Sequence, residues 1–294
     1  MRTSKNELKL NGYPYFKDDE DKKRATMEPT RYTRGNKLWL HPDEKMRTCS
    51  RCHKKFELAK NVSGYRGSCL YHPKGKQYDK VRRCRVQLCC GEREGSSKGC
   101  QRRPLHVFDQ LLTTELEKFV ETEEPSGNID DRSRNVLAID VECVYTMEGP
   151  ALARLSVVDW DGQSILDVRV RPPSDVIDPN TEYSGLTCRD VYAAEETLNT
   201  CRQKLLELVN KETILVGHSL EADLRALRLV HLNIIDTSLL YKAGAKKIGL
   251  KTLALEHLGI LIQSNKIDET GGHDSVEDAR VCLQLLKLRI GNFL

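Results

Sequence analysis

The 294-residue sequence has no apolar run near the ~20 residues that a membrane-spanning helix requires. No secretory-signal hydrophobic stretch opens it either. The expectation is therefore a soluble protein with no membrane partner. Internal repeats and long basic runs are also missing. Residues 46–110 are poor in aliphatic side chains, so they cannot bury enough apolar surface to fold unaided. Something other than a hydrophobic core must hold that stretch together.

At ~100–200 residues per domain, the length allows two domains, or one with a long extension. The formal charge of +4 hides an asymmetry. Residues 1–110 hold 27 Lys and Arg against 13 Asp and Glu, whereas 111–294 hold 20 against 30. A basic module favours a polyanion such as nucleic acid, and an acidic one can cage cations.

Seven of the 11 cysteines, Cys49 to Cys100, lie within 52 residues. Without a secretory signal, metal ligation explains them better than disulfides. The ligand types arrive as Cys49-x2-Cys52, Cys69-x2-His72, Cys89-Cys90, Cys100 and His106, eight in all, with Cys84 and His53 left over. Zinc takes four thiolate or imidazole ligands in a tetrahedron, so eight fit two closed structural sites. Their pairing cannot be read from order alone. Lys74, Lys76, Lys80, Arg82, Arg83 and Arg85, interleaved with Tyr71 and Tyr78, have the chemistry to contact phosphates and stack on unpaired bases. A solvated surface would carry the same residues. A protein partner is the other use for such a scaffold.

Four segments are expected. Residues 1–45, with the charge run KDDEDKKR (17–24), are read as largely flexible, and 46–110 as the zinc module. Residues 111–134 are read as a helix and linker, the amphipathic stretch beginning at His106 and the linker running over 121–134. Residues 135–294 form the last domain. There VLAIDVE (136–142), ARLSVVDW (153–160) and SILDVRV (164–170) read as a strand meander. Helices follow over 197–211, 219–229, 250–259 and 275–290, with a strand at 214–217 and a strand or strand end at 233–240. The pattern predicts an α/β fold, a mixed sheet flanked by helices.

Asp140 and Glu142, two apart on a strand, share one face, with Leu137, Ile139 and Val141 on the other. Paired carboxylates repel unless cations neutralise them, although an edge strand with one wet face shows the same pattern. In GHSLEADL (217–224), Asp223 lies one turn into a helix, beside the stripe of Leu220, Leu224 and Leu227. An ordinary first-turn acid sits there too, and His218 reads as a structural residue at the helix entrance. In GHDSVEDA (272–279), Ser275-x2-Asp278 matches a capping box. His273, five residues before that acid, suits deprotonation of a water.

Taken together, AIDVEC, VGHSLEADLRAL, IIDTSLL and GHDSVEDARVCLQLL resemble the motif series of the DEDDh 3′–5′ exonucleases. Within that group the chain is similar to the Rex-type RNA exonucleases, the RNA exonuclease 1 branch, as RPPSDVIDPNTEYSGLT and LKTLALEHLGILIQ also indicate. The resemblance implies an RNase H-like sheet and two Mg²⁺ or Mn²⁺ ions held by Asp140, Glu142, Asp223 and Asp278, with Asp140 bridging and His273 as general base. It further implies an RNA 3′ end as substrate, nucleoside 5′-monophosphate as product, and nuclear residence. Cys143 departs from the methionine frequent in the family, which concerns the terminal nucleotide. A DNA exonuclease would share the five residues, and a binding adaptor built on the zinc module is the alternative from another class. Residues 69–106 resemble the paired-zinc CHORD type through Cys69, His72, Pro73, Cys89, Cys90, Gly99, Cys100 and His106.

Overall fold

A computed structural model describes residues 2–17, 24–30, 39–62, 69–127, 129–244, 246–263 and 272–291. The expected meander forms as β1 (Val136–Thr146), β2 (Gly149–Val158) and β3 (Ser164–Arg169), antiparallel throughout. A short β4 (Val176–Asp178) pairs with the far end of β1. On the other edge of β1, β5 (Ile214–Gly217) and β6 (Ile234–Asp236) add in parallel, giving the order β3-β2-β1-β5-β6. β1 is thus the central strand of this order, but β5 pairs with it only over Val136–Ala138, so beside its two acids the strand partner is β2 alone; a wet face is excluded at Glu142 by its burial, 7% exposed.

Successive strand side chains point to opposite faces, so each face of β1 meets a separate core. Leu137 and Ile139 pack with Leu205 of α1 (Leu198–Leu206) and with Leu220, Leu224 and Leu227 at α2 (Glu221–Leu227). Ala138 packs on the other side with Ala279, Cys282, Leu283 and Leu286 of α3 (Ser275–Gly291). Asp140 and Glu142 continue the Ala138 side, about 6–7 Å apart along the strand. Helix α1 stops at Leu206, short of the expected Lys211. The Asn210 side chain accepts from the N–H groups of Glu212 and Thr213 and turns the chain there.

The N-terminal stretch, expected to be largely flexible, is tied down where it is described. The Thr3 N–H donates to the Ile234 carbonyl at 3.0 Å, and a helix spans Lys5–Leu10. Leu8 and Tyr13 are fully buried in the first core, and the Tyr13 hydroxyl donates to Asp236 at 2.7 Å. Ala25 and Met27 pack with Leu116, Phe119 and Val230. These anchors are irregularly spaced and their sockets lie far along the chain, so no local period reveals them. Of the charge run, residues 18–23 lie outside the described residues.

The helix expected at 106–120 is replaced by short pieces. Leu111–Leu112 pairs with Trp39–Leu40, a 3-10 turn covers Thr113–Lys118, and Val120–Glu121 pairs in parallel with Leu229–Val230. The segment read as linker is fastened too. The Thr122 hydroxyl meets His231 Nδ1 at 3.0 Å, and the Lys211 N–H donates to the Glu123 carbonyl. Backbone pairing with a distant strand outweighs the weak helix preference of Thr113 and Thr114.

Candidate active site

Asp140 is half-buried, and Glu142, Asp223 and Asp278 are only 7%, 6% and 3% exposed. Asp223 Oδ1 accepts the Val141 N–H at 3.0 Å, which stitches the first turn of α2 to β1 between the two strand acids. Asp278 is not engaged in the expected capping box. Asp274 caps α3 instead, accepting from the Val276 N–H at 3.1 Å, while Ser275 Oγ turns inward to Ser156 Oγ at 2.7 Å. Asp278 is thereby left to face the sheet. Its Oδ2 accepts from Gln263 Nε2 at 2.7 Å. Its Oδ1, like Glu142 Oε1, is buried with no hydrogen-bond partner among the described residues.

The electrostatics follow from this crowding. Burial, then the charges of Asp223, Glu142 and Asp278, hold Asp140 well above the usual carboxylate range. Burial pushes Glu142 up to about 9, Asp223 to about 8 and Asp278 to about 6. Buried carboxylates that repel one another, with two oxygens lacking a donor among the described residues, fit cation binding. The four stand more widely than a single tight ligand cage, since among the described residues only Cys/His sets bring three or more ligand atoms within 4.8 Å. Wider spacing suits a pair of ions ~3.5–4 Å apart.

His273 enters from the loop before α3, its Nδ1 3.9 Å from Asp278 Oδ2. Its N–H donates to the Tyr183 carbonyl at 2.9 Å, and its ring meets the Tyr183 ring edge-on at 5.9 Å between centroids. The loop approaches so closely that a Cβ at Gly272 would fall 2.0 Å from the Gly185 nitrogen. Gly185 itself has φ +66. Only glycine fits both positions, so the pair fixes where His273 stands. Burial, then Lys251, lowers the imidazole below its ordinary value, which keeps it neutral at pH 7. His218 is structural. Its Nδ1 lies 2.9 Å from Thr237 Oγ1, which in turn donates to the Gly217 carbonyl.

Three neighbours escaped the sequence reading. Gln263 and Tyr183 lie in the two segments quoted for the family likeness, but no spacing pointed to either. Arg154 stands opposite Glu142 because the β1–β2 register shifts by one residue between Glu142 and Cys143. A regular ladder would have placed Ala153 there and turned Arg154 to the other face. Arg154 is held by both oxygens of Asp167, at 2.8 Å each, and its charge counters the rise in Glu142.

The eight predicted sulfur and imidazole ligands divide into two sets, Cys49, Cys52, Cys69 and His106, and His72, Cys89, Cys90 and Cys100. Cys84 belongs to neither. The contacts Cys49 to Cys69, Cys52 to His106 Nδ1, Cys89 to His72 Nδ1 and Cys100 to Cys89 measure 3.6, 3.4, 3.5 and 3.5 Å. A zinc tetrahedron with bonds of ~2.0–2.3 Å has edges of about 3.4–3.8 Å. Of the predicted basic residues, Lys74 and Lys76 line a groove beside the second set. Arg82, Arg83 and Arg85 lie on or beside the adjacent hairpin, outside that groove. Tyr71 is largely buried, with Arg51 over its ring.

No protein-family model matches the chain, so the CHORD likeness rests on its motif residues alone. Curated relatives do match. The chain is 44% identical over 291 residues to the putative RNA exonuclease pqe-1 of Caenorhabditis elegans, covering 97% of this chain and 18% of that protein. It is 34% identical over 296 residues to the human RNA exonuclease 1 homolog, covering 96% of this chain and 22% of the relative. Against RNA exonuclease 3 of Eremothecium gossypii it is 36% identical over 255 residues, 84% of this chain and 64% of that one. The chain thus spans between about a fifth and two thirds of these relatives. Among solved structures, the Neurospora crassa Pan2 catalytic unit, containing protease and nuclease domains, aligns with a TM-score of 0.50 at 24% identity. It covers 73% of this chain and 41% of its own, and the likeness is one of fold. In this sheet, in these motif residues and over nearly its whole length, the chain is similar to the Rex-type RNA exonucleases.

Proposed function

We propose that this chain is a 3′–5′ exoribonuclease that removes nucleoside 5′-monophosphates from RNA 3′ ends by metal-assisted hydrolysis. The observation that supports the reading is the mutual repulsion of four acids, Asp140 and Glu142 midway along the central strand and Asp223 and Asp278 in the first turns of α2 and α3, with two buried carboxylate oxygens that meet no donor among the described residues. These four acids would hold the divalent ions. Mg²⁺ or Mn²⁺, when bound, supplies charge relief at the leaving oxygen and acidifies a water. His273, neutral and fixed by the Gly185–Gly272 contact, has a nitrogen lone pair available to take a proton from that water. Gln263 and the Val141 N–H each hold one oxygen of their carboxylate, which orients the other.

In the module, Cys49, Cys52, Cys69 and His106 would hold one zinc ion and His72, Cys89, Cys90 and Cys100 a second. The sulfur and nitrogen spacings support this, and four protein ligands per ion leave no open position, so the role is structural. The test is digestion of 3′-labelled and 5′-labelled RNA, with a DNA strand of the same sequence alongside, with and without Mg²⁺ or Mn²⁺. Immediate release of label from the 3′ end of RNA, dependent on the ion, is expected. Release from the 5′ end first, metal-independent cleavage, or faster loss of DNA would overturn the assignment.

A further inference from the structure

Between the Cys/His module and the sheet domain lies a groove of about 900 Å³, at the upper end of the ~300–1,000 Å³ usual for ligand sites. Its two walls are locked together. Arg51 of the module forms a mostly buried ion pair with Asp178 at 2.6 Å and donates to Asn180 at 3.2 Å, with its guanidinium over the Tyr71 and Tyr145 rings. Asp109, Tyr145 and Asn180 line both this groove and a smaller cavity of about 180 Å³. That cavity reaches Cys143 and Ala222, the neighbours of Glu142 and Asp223. On its sheet-domain wall the groove carries Tyr183, 41% exposed, the residue that touches His273. The trough therefore starts at Tyr183, beside His273, and ends on the module.

Its chemistry matches one kind of occupant. Lys74, Lys76 and Lys98 are exposed along the module side; Lys76 pairs with Glu94, while Lys74 and Lys98 form no ion pair among the described residues. Lysines along a groove beside a half-exposed aromatic ring are the usual equipment for a sequence-tolerant single strand, with phosphates on the cations and a base on the ring. We infer that this trough holds the single-stranded RNA immediately 5′ of the terminal nucleotide, so that the Cys/His module measures substrate length. The inference rests on the exoribonuclease reading above and adds a binding role to a module otherwise read as scaffold.

The test uses the full chain carrying Asp140→Asn, so that RNA is bound and not consumed, and measures Kd by fluorescence anisotropy for labelled 3-nucleotide and 12-nucleotide RNAs across a salt series in Mg²⁺. The longer RNA is expected to bind at least about tenfold more tightly. Lys74→Ala with Lys98→Ala should remove most of that advantage and flatten the log–log salt slope by about 1.4, the loss of two contacts at ~0.7 each. Tyr183→Ala should weaken the 12-mer roughly tenfold, and Tyr183→Phe, which keeps the ring, should not. Equal binding of both lengths by the parent chain overturns the inference, and so does an undiminished length advantage in the double-lysine variant. Failure to bind either RNA overturns the exoribonuclease reading itself.

Discussion

The two halves of this chain present their metal-ligand chemistry by opposite means. In the sheet domain, β1, α2 and α3 are set by two apolar cores, and the acids ride on elements that packing has already fixed. In the module, the core cluster is Cys49, Phe56, Cys69, Tyr71 and Phe108, two of which are themselves predicted ligands. The second Cys/His set has still less shelter, with Cys90 and Cys100 exposed. The difference teaches which site a fold can build in advance. A cation added to the sheet domain would meet a finished site, whereas one held by the module would take the place of the missing core.

The comparison breaks or sharpens under four measurements. The largest effect is expected from loss of module metal, because structural zinc contributes about 10–16 kcal/mol in small domains. Cys69→Ser should make residues 46–110 sensitive to limited proteolysis and lower the bound zinc from two ions per chain to one, while the sheet domain stays resistant. A protected, zinc-free module would show that it has a core of its own. Next, Asp140→Asn should abolish hydrolysis with Tm within a few degrees of wild type, since removing a repelled charge does not harm the packing. Near-normal turnover in that variant would remove Asp140 from the site.

A smaller loss, about 10²–10⁴-fold in rate, is expected for His273→Ala, the usual worth of a positioned base. The pH–rate profile should lose its acid limb, and an unaltered profile would exclude His273 from proton transfer. The smallest effect concerns the clasp on the 121–134 segment. Burial holds His231 at about 4, below its ordinary 6.5, so the folded state binds fewer protons than the unfolded chain between those values. Stability should therefore fall as pH drops from 6.5 toward 4. His231→Gln should flatten that part of the Tm-versus-pH curve by several degrees, and an unchanged curve would show that the clasp does not titrate.

Much of the sheet domain was legible in the residues. Period-2 alternation at Leu137 and Ile139 and the helical stripe of Leu220, Leu224 and Leu227 are local patterns, and the structure buries all five. The four acids and His273 were candidates from sequence because each sits in a short motif within one element or at its entrance. The N-terminal anchors Leu8 and Tyr13 were not, because burial in a core built by distant elements, with Tyr13 bonded to Asp236 more than 200 residues away, leaves no mark on nearby spacing.

The sequence by itself determined the mixed α/β fold class, the face shared by Asp140 and Glu142, and the six cysteines and two histidines offered as candidate ligands, since each follows from residue type and local period. Only the tertiary structure decided which ligands form each set and that β1 is central. It alone turned Ser275 to Ser156 so that Asp278 faces the acids, and brought Arg154 opposite Glu142 through a one-residue slip. The reason is physical. Pairing, register and packing choose among distant partners, and the free energy that selects one partner over another belongs to contacts that do not exist until the chain has folded.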